Sequence, residues 1–264
     1  MTYIPAAHHG PTTNAPVSRI VIHSTCPDVG FPAASKAGRA VSTANYFAST
    51  SRPASAHYVV DIATTVQCLP ENTVGYHAPP NSGSIGIEIC SDGGSKGSFE
   101  NPAHAYTTTQ WLSPEVWPAV ERAAILAREI CHRHHIPIRR LSVAQVRAGE
   151  RGICGHNEVS EAFHRSDHDD PGPWFPWDRF ILEVKGIPTE GMSMSDIQNI
   201  IQRLSRIEAI VTVNQRRIDK ATAIATENQR RITDIKSGLD HTDRVAVENQ
   251  RRINRITAKL EASE

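Results

Sequence analysis

The pentapeptide NQRRI occurs three times near the end of the chain, at 214–218, 228–232 and 249–253. The intervals are 14 and 21 residues, both multiples of seven. With Ile197 as position a of a heptad, the a series is Ile197, Leu204, Val211, Ile218, Ala225, Ile232, Leu239, Ala246, Ile253 and Leu260. The d series is Ile200, Ile207, Asn214, Ala221, Asn228, Ile235, Thr242, Asn249 and Ile256. Nine heptads without a break predict a coiled coil, because chance alternation does not persist over that length. The helix would run for roughly 95 Å at about 1.5 Å per residue. One solvated helix has nowhere to bury such a stripe, so another copy of the chain is expected against it.

The amides at d carry further information. An Asn buried in a coiled-coil layer costs stability but fixes register, since slippage opposite Ile leaves its hydrogen bonds unmade. Asn at d resembles the trimeric coiled coils of bacterial surface adhesins. The small Ala residues at 221, 225 and 246 favour the closer approach of a dimer. A parallel homotrimer is preferred to a dimer, and a spacer folding back on the preceding domain stays open.

Composition matters because it divides the chain. Twelve of 13 His, all four Trp, all Tyr and Phe and all five Cys precede residue 181, while no aromatic, Pro or Cys follows Gly191. Three segments are expected: a domain over 1–184, a linker over 185–195 punctuated by Gly, Pro and Ser, and a coiled coil over 196–262 that Ser195 or Asp196 would cap. The 28 basic and 28 acidic residues cancel, which argues against nucleic acid as a partner. No apolar run approaches the ~20 residues that span a membrane. The start, MTYIPAAHHG, lacks the features of a signal peptide. Five Cys without CxxC spacing read as reduced, mostly buried thiols.

Within 1–184, strand and helix alternate. SRIVIHS (18–24) and SIGIEIC (84–90) read as strands, 55–70 as two strands, and 39–49 and 114–135 as helices. The fold class expected is α/β, a single mixed sheet flanked by helices and followed by the long helix. Three residues stand out: His23 at the end of an apolar strand, His156 in the loop ICGHNEVS, and Asp170 opening DPGPWFPW. Each alone also has a structural role, as a strand-end His, a capping-loop His and a turn Asp. Together they make a three-ligand set suited to a catalytic zinc ion that leaves a fourth position for water. Spacing does not establish that they meet, since 133 residues separate the first two.

Five motifs occur in one order: IVIHST, SAHYVVD, GYHA, NSGSIGIEI and GHNEVSE followed by DHDDPGPWFPW. In this the chain resembles the type-2 N-acetylmuramoyl-L-alanine amidases, a family that includes phage endolysins and is related to the peptidoglycan recognition proteins. The resemblance covers roughly residues 15–182. It implies Zn2+ as cofactor, His23, His156 and Asp170 as ligands, and bacterial peptidoglycan as partner. Glu88 matches the glutamate that activates water in one branch, and its strand gives the role room. Ile85, Ile87 and Ile89 share one face, leaving Glu88 with Ser84, Gly86 and Cys90 on the other.

Two departures qualify the match. His168 stands where many relatives have a Lys that stabilises the oxyanion, and a protonated imidazole can supply the same donor. His168 or His164 as third ligand, with Asp170 behind it, remains an alternative. Ala56 precedes His57 where the recognition-protein branch has Tyr, so no phenolic group is assumed. His57 and His77 either line the groove or support the sheet, and Asn81 and Ser82 are expected peptide contacts. HRHH (132–135) ends a helix, where cations complement the dipole. Trp174 and Trp177 are expected to pack rather than bind sugar. The expected activity is hydrolysis of the amide between N-acetylmuramic acid and L-alanine, by a protein made in the host cytoplasm and acting on the wall after release. A non-catalytic peptidoglycan-binding module and a virion structural protein are the rival classes.

Overall fold

The computed structural model describes residues 1–25, 37–91, 106–187, 189 and 191–261. These fall into two compact units, 1–198 and 199–264. The first is built on a six-stranded sheet: β1 (Thr2–Tyr3), β2 (Arg19–Ser24), β3 (Tyr58–Val60), β4 (Thr65–Gln67), β5 (Ser84–Ile89) and β6 (Gly152–Gly155). Their order across the sheet is β1-β4-β3-β5-β2-β6. Only β3 and β4 pair antiparallel; β5 and β6 flank β2 in parallel. The mixed sheet expected from the sequence is what forms.

All six residues of β2 are buried, as a central parallel strand with both faces covered requires. Alternation divides its contacts. Ile20 and Ile22 join Ile85, Ile87 and Ile89 on one face, under α3 (Trp117–His134) and α6 (Trp177–Val184). Val21 faces the other way, into a cluster with Leu141, Val146, Cys154 and Val159. These belong to or adjoin α4 (Val143–Arg147), β6 and α5 (His156–Phe163). Phe47 and Ala44 of α1 (Arg39–Ser49) cover the β3–β4 side together with Val59 and Val66. A short turn of helix, α2 (Thr108–Trp111), places Trp111 in the core.

Asp61 joins several of these pieces although it is wholly buried. Its Oδ1 accepts from the N–H groups of Ala63 and Thr64, shaping the β3–β4 turn, and its Oδ2 accepts from Gly38 and Ala40 at the start of α1. One carboxylate thus supplies a turn and a helix cap. The four described cysteines are free and buried, as expected, and burial pushes each thiol up to about 12. Cys26 lies outside the described residues.

Three local expectations need correction. The helix expected from Pro114 begins at Trp117, because Pro118 is tolerated only in a first turn. His156 opens α5 directly after β6 rather than lying in a loop. Finally, α7 (Met194–Glu261) is capped by Ser193, not by Ser195 or Asp196. The Ser193 hydroxyl accepts from Asp196 N–H, and the Asp196 carboxylate accepts from Ser193 N–H. HRHH does end α3, where His135 takes the left-handed cap and His134 pairs with Glu71 at 2.6 Å. Trp177 is buried in the core, whereas Trp174 is 41% exposed.

The second unit is the rest of α7. Its apolar heptad residues lie open: Ile207, Ile218, Ile235, Leu239 and Ile256 are all at least 55% exposed. Ile197, the first a position, is instead 1% exposed. No described helix is long and apolar enough to cross a membrane.

Candidate active site

Three parallel strands deliver the site. The register pairs His23 on β2 with Glu88 on β5, and Ile22 with Gly155 at the end of β6. His23 and Glu88 are therefore neighbours on one face, and His156 follows β6 by one residue. This is the carboxyl edge of the parallel strands, where α/β sheets commonly form their sites.

Asp170 is brought in by its turn. Asn157 N–H donates to the Asp170 carbonyl at 3.2 Å, and Ser24 N–H donates to its carboxylate at 3.3 Å. The approach depends on Gly155. A Cβ there would stand 2.6 Å from Asn157 Oδ1 and 2.9 Å from Pro171 Cδ. Any larger residue would push the Asp170 turn away from the sheet.

The donors converge closely. His23 Nδ1 lies 2.9 Å from Asp170 Oδ2, and His156 Nδ1 lies 3.2 Å from Asp170 Oδ1. One ligand atom from each of the three residues falls within 4.8 Å of the others, and all three side chains are buried. Ligand atoms on a tetrahedral ion with bonds near 2.0–2.1 Å stand about 3.3 Å apart. Asp170 Oδ1 is also buried without a hydrogen bond. An orphaned carboxylate oxygen facing two imidazole nitrogens suits a divalent cation better than a hydrogen-bonded network.

Electrostatics follow from this crowding. Burial favours the neutral form of Asp170, but the imidazoles of His23 and His156 outweigh it and hold the carboxyl well below its ordinary range. Burial lowers the pKa of His23 against the opposing pull of Asp170. Glu88 faces an open space, yet burial and then the Asp170 charge push its carboxyl up to about 8. A carboxyl raised toward neutrality can both take and return a proton. His168 stacks on His156 with centroids 4.7 Å apart. The Asp170 carboxylate, 3.6 Å from its Nδ1, raises the pKa of His168, and Asp167 and Asp169 add to this.

A cleft of about 860 Å³ opens over these groups. His23, His77, Asn81, Glu88, His156, His168 and Asp170 all reach it, so the structure gathers seven of the nine residues singled out in the sequence. His57 and Ser82 are not among its lining. His57 is wholly buried, with its Nε2 against the Thr73 carbonyl and its Nδ1 accepting from Gly86 N–H. Ser82 is exposed outside the cleft. His164 caps α5 in the left-handed conformation, exposed and away from the lining. His164 thus lies apart from the cluster, whereas His168, the other alternative ligand, has its Nδ1 3.6 Å from Asp170 Oδ1.

Two groups of cleft residues were not among those singled out in the sequence. Arg39, Thr43, Tyr46 and Phe47 line the cleft from α1; their spacing of i, i+4, i+7 and i+8 is a helical face that periodicity could have revealed. Ser166 bonds His156 Nε2 at 3.1 Å, and nothing in the polar run around it signals that contact.

Residues 13–173 match the family described as N-acetylmuramoyl-L-alanine amidase. No curated protein sequence matches the chain. Among solved structures, the chain is similar to the Staphylococcus aureus hydrolase AmiA in complex with its ligand, at 16% identity over 71% of this chain and 82% of that one, with a TM-score of 0.46. It is similar to the catalytic domain of XlyA at 21% identity, over 69% and 95% of the chains and a TM-score of 0.43. A mutant endolysin from Bacillus subtilis is similar at 19% identity, over 69% and 97%, with a TM-score of 0.42.

Proposed function

The chain belongs to the N-acetylmuramoyl-L-alanine amidase family, and from that premise we propose that it is a zinc-dependent, endolysin-like enzyme of bacterial cell-wall lysis. The bond cleaved is the lactyl amide joining N-acetylmuramic acid to L-alanine in peptidoglycan. The observation that carries this reading is the convergence of His23, His156 and Asp170 beside Glu88 at one strand edge.

His23, His156 and Asp170 would hold the zinc ion, which when bound supplies Lewis-acid polarisation and lowers the pKa of water toward ~7. Glu88 is the proton carrier. Its carboxylate takes a proton from the attacking water and returns it to the departing alanine nitrogen, a role its raised pKa suits. His168, whose pKa is raised by the hydrogen bond to Asp170, donates toward the developing oxyanion. The walls of the cleft hold the peptide and sugar while limiting water around the reacting amide.

The long helix is read as a parallel homotrimer that displays several catalytic units on one wall. Apolar residues at g, Ile210, Ile224 and Val245, are 45% or more exposed, and each precedes an Asn at d by four residues. They widen the a/d stripe, so that each helix has apolar surface for two neighbours rather than one. Parallel in-register packing also lets each Asn meet its own copies. The fully overlapped antiparallel alternative sets Asn214 beside Leu239 and Asn249 beside Leu204, leaving amides unsatisfied.

Turbidity loss of bacterial cell walls tests the catalytic reading. Wild-type protein should clear them, and both zinc-stripped protein and the Glu88→Gln variant should fail. Clearing that persists in both would overturn the mechanism.

A further inference from the structure

The second nitrogen of each imidazole ligand is tied down, and the tie on His23 is directional. It is read most clearly from its far end. The Ser84 hydroxyl donates to the Asn81 carbonyl at 2.7 Å. A hydroxyl has one hydrogen, so Ser84 Oγ can only accept from His77 Nε2, 3.2 Å away. As a neutral imidazole with its proton on Nε2, His77 presents a bare Nδ1. That atom lies 3.0 Å from His23 Nε2, which must therefore carry the hydrogen. In the neutral imidazole, the form that ligates a metal, the lone pair of His23 is then left on Nδ1, the atom facing Asp170 Oδ2. A lone pair aimed at a carboxylate is favourable only with a cation between them.

We infer that His77 is a positioning residue for metal binding: its Nδ1 accepts the Nε2 hydrogen of His23 and so fixes the tautomer and ring plane that present His23 Nδ1 to the ion. The inference rests on the zinc reading above and concerns a residue that does not itself touch substrate. Both ring nitrogens of His77 are engaged, which leaves neither for the peptide although the ring borders the cleft.

Packing leaves His77 little freedom. Its ring lies over Gly86, where a Cβ would come within 2.8 Å of its Cγ and Nδ1. Gly75 also approaches the ring, where a Cβ would stand 3.2 Å from its Cδ2. The rings of His23 and His77 meet edge to face at 89°, with centroids 5.1 Å apart. Asn81 holds the loop: its Oδ1 accepts from the N–H groups of His77 and Ala78 at 3.0 and 2.8 Å. Thus one asparagine secures the backbone that carries His77 and, through its carbonyl, the serine that sets its tautomer. His156 Nε2 is likewise engaged, 3.1 Å from the Ser166 hydroxyl. Partners of this kind commonly change metal affinity by 10–100-fold when removed.

The test is zinc affinity of the full chain, measured by competition with a chromophoric chelator. His77→Leu fills the volume but cannot accept, and should bind zinc 10–100-fold more weakly than wild type. His77→Asn places an amide oxygen near the position of Nδ1 and should recover a large part of that loss. Unchanged affinity in His77→Leu, or equal losses in Leu and Asn, would overturn the inference. If His77→Leu does not fold, Ser84→Ala carries the test: several-fold weaker binding supports the relay and unchanged binding refutes it. Wild-type protein that binds no zinc would sink the zinc reading itself, and the His77 inference with it. Wild-type binding that His77→Leu leaves intact would sink the His77 assignment alone.

Discussion

Isoleucine behaves oppositely in the two units of this chain. Ile20, Ile22, Ile85, Ile87 and Ile89 in the α/β unit are 0% exposed, whereas Ile207, Ile218, Ile235 and Ile256 in α7 are 55–63% exposed. Period-two spacing in a parallel strand finds its cover within the same chain, because the crossover helices return over the sheet. Seven-residue spacing on a lone helix finds none. Burying an isoleucine is worth about 1.5–3 kcal/mol, so the open stripe holds on the order of 10 kcal/mol per chain for association. One unit completes its core within the chain, whereas the other leaves its apolar stripe open. Chemistry sits only in the first.

The sharpest separation of the two comes from Glu88→Gln. Turnover of peptidoglycan should fall about 10²–10⁴-fold, while zinc content and oligomer mass stay as in wild type. A fall in mass would mean that the units are not independent in this respect. The converse change is Ile218→Asp with Ile232→Asp, which charges two a layers of the helix. Sedimentation equilibrium should then report a monomer in place of a trimer. Cleavage of soluble muropeptides should be unaltered per site, and clearance of whole walls should drop through lost avidity.

A smaller effect separates the units by pH. Burial lowers the pKa of His57 to about 4, despite the favourable Thr73 carbonyl. The unfolded chain, at about 6.5, then binds the proton more readily than the folded one. Stability from this group is complete above pH 6.5 and declines as pH falls toward 4. The expected loss is about 2 kcal/mol between pH 7 and pH 5. All four Trp lie before residue 181, so tryptophan fluorescence in a urea titration follows the α/β unit alone. Oligomer mass by sedimentation equilibrium should change little over the same range. The smallest effect expected is that of Asn228→Ile, which should raise helix stability by about 1–2 kcal/mol while admitting a second oligomer or register. Native mass spectrometry would detect the mixture, and a single trimer would show that Asn228 does not specify the assembly.

What could be read in advance follows the same division. Local signals gave β2, β5 and α1 nearly to the residue, because apolar runs and helical spacing are properties of a few neighbouring side chains. β6 was missed, since GICG is short and half glycine. The β3–β4 turn lacks a hairpin dipeptide because Asp61 does its work through a side chain that also reaches α1. Ligand identity came from the order of five motifs. Their convergence needed the sheet register that pairs His23 with Glu88 and Ile22 with Gly155, the residues that His23 and His156 directly follow being thus side by side. Of the two roles expected for His77 and His57, lining the groove or supporting the sheet, the sequence did not tell which residue takes which. Both are histidines near the site in sequence, and only the bonds to Ser84, Thr73 and Gly86 separate a wall residue from a buried support.

The account depends most on the claim that the His23–His156–Asp170 cluster is an amidase centre. Purified peptidoglycan digested with the zinc-loaded full chain, followed by mass spectrometry of the products, tests it directly. The predicted result is free stem peptides with L-alanine at a new amino terminus, beside glycan strands of intact sugar sequence. Glycan that keeps its stem peptides after exposure to protein carrying one zinc per chain would contradict the account.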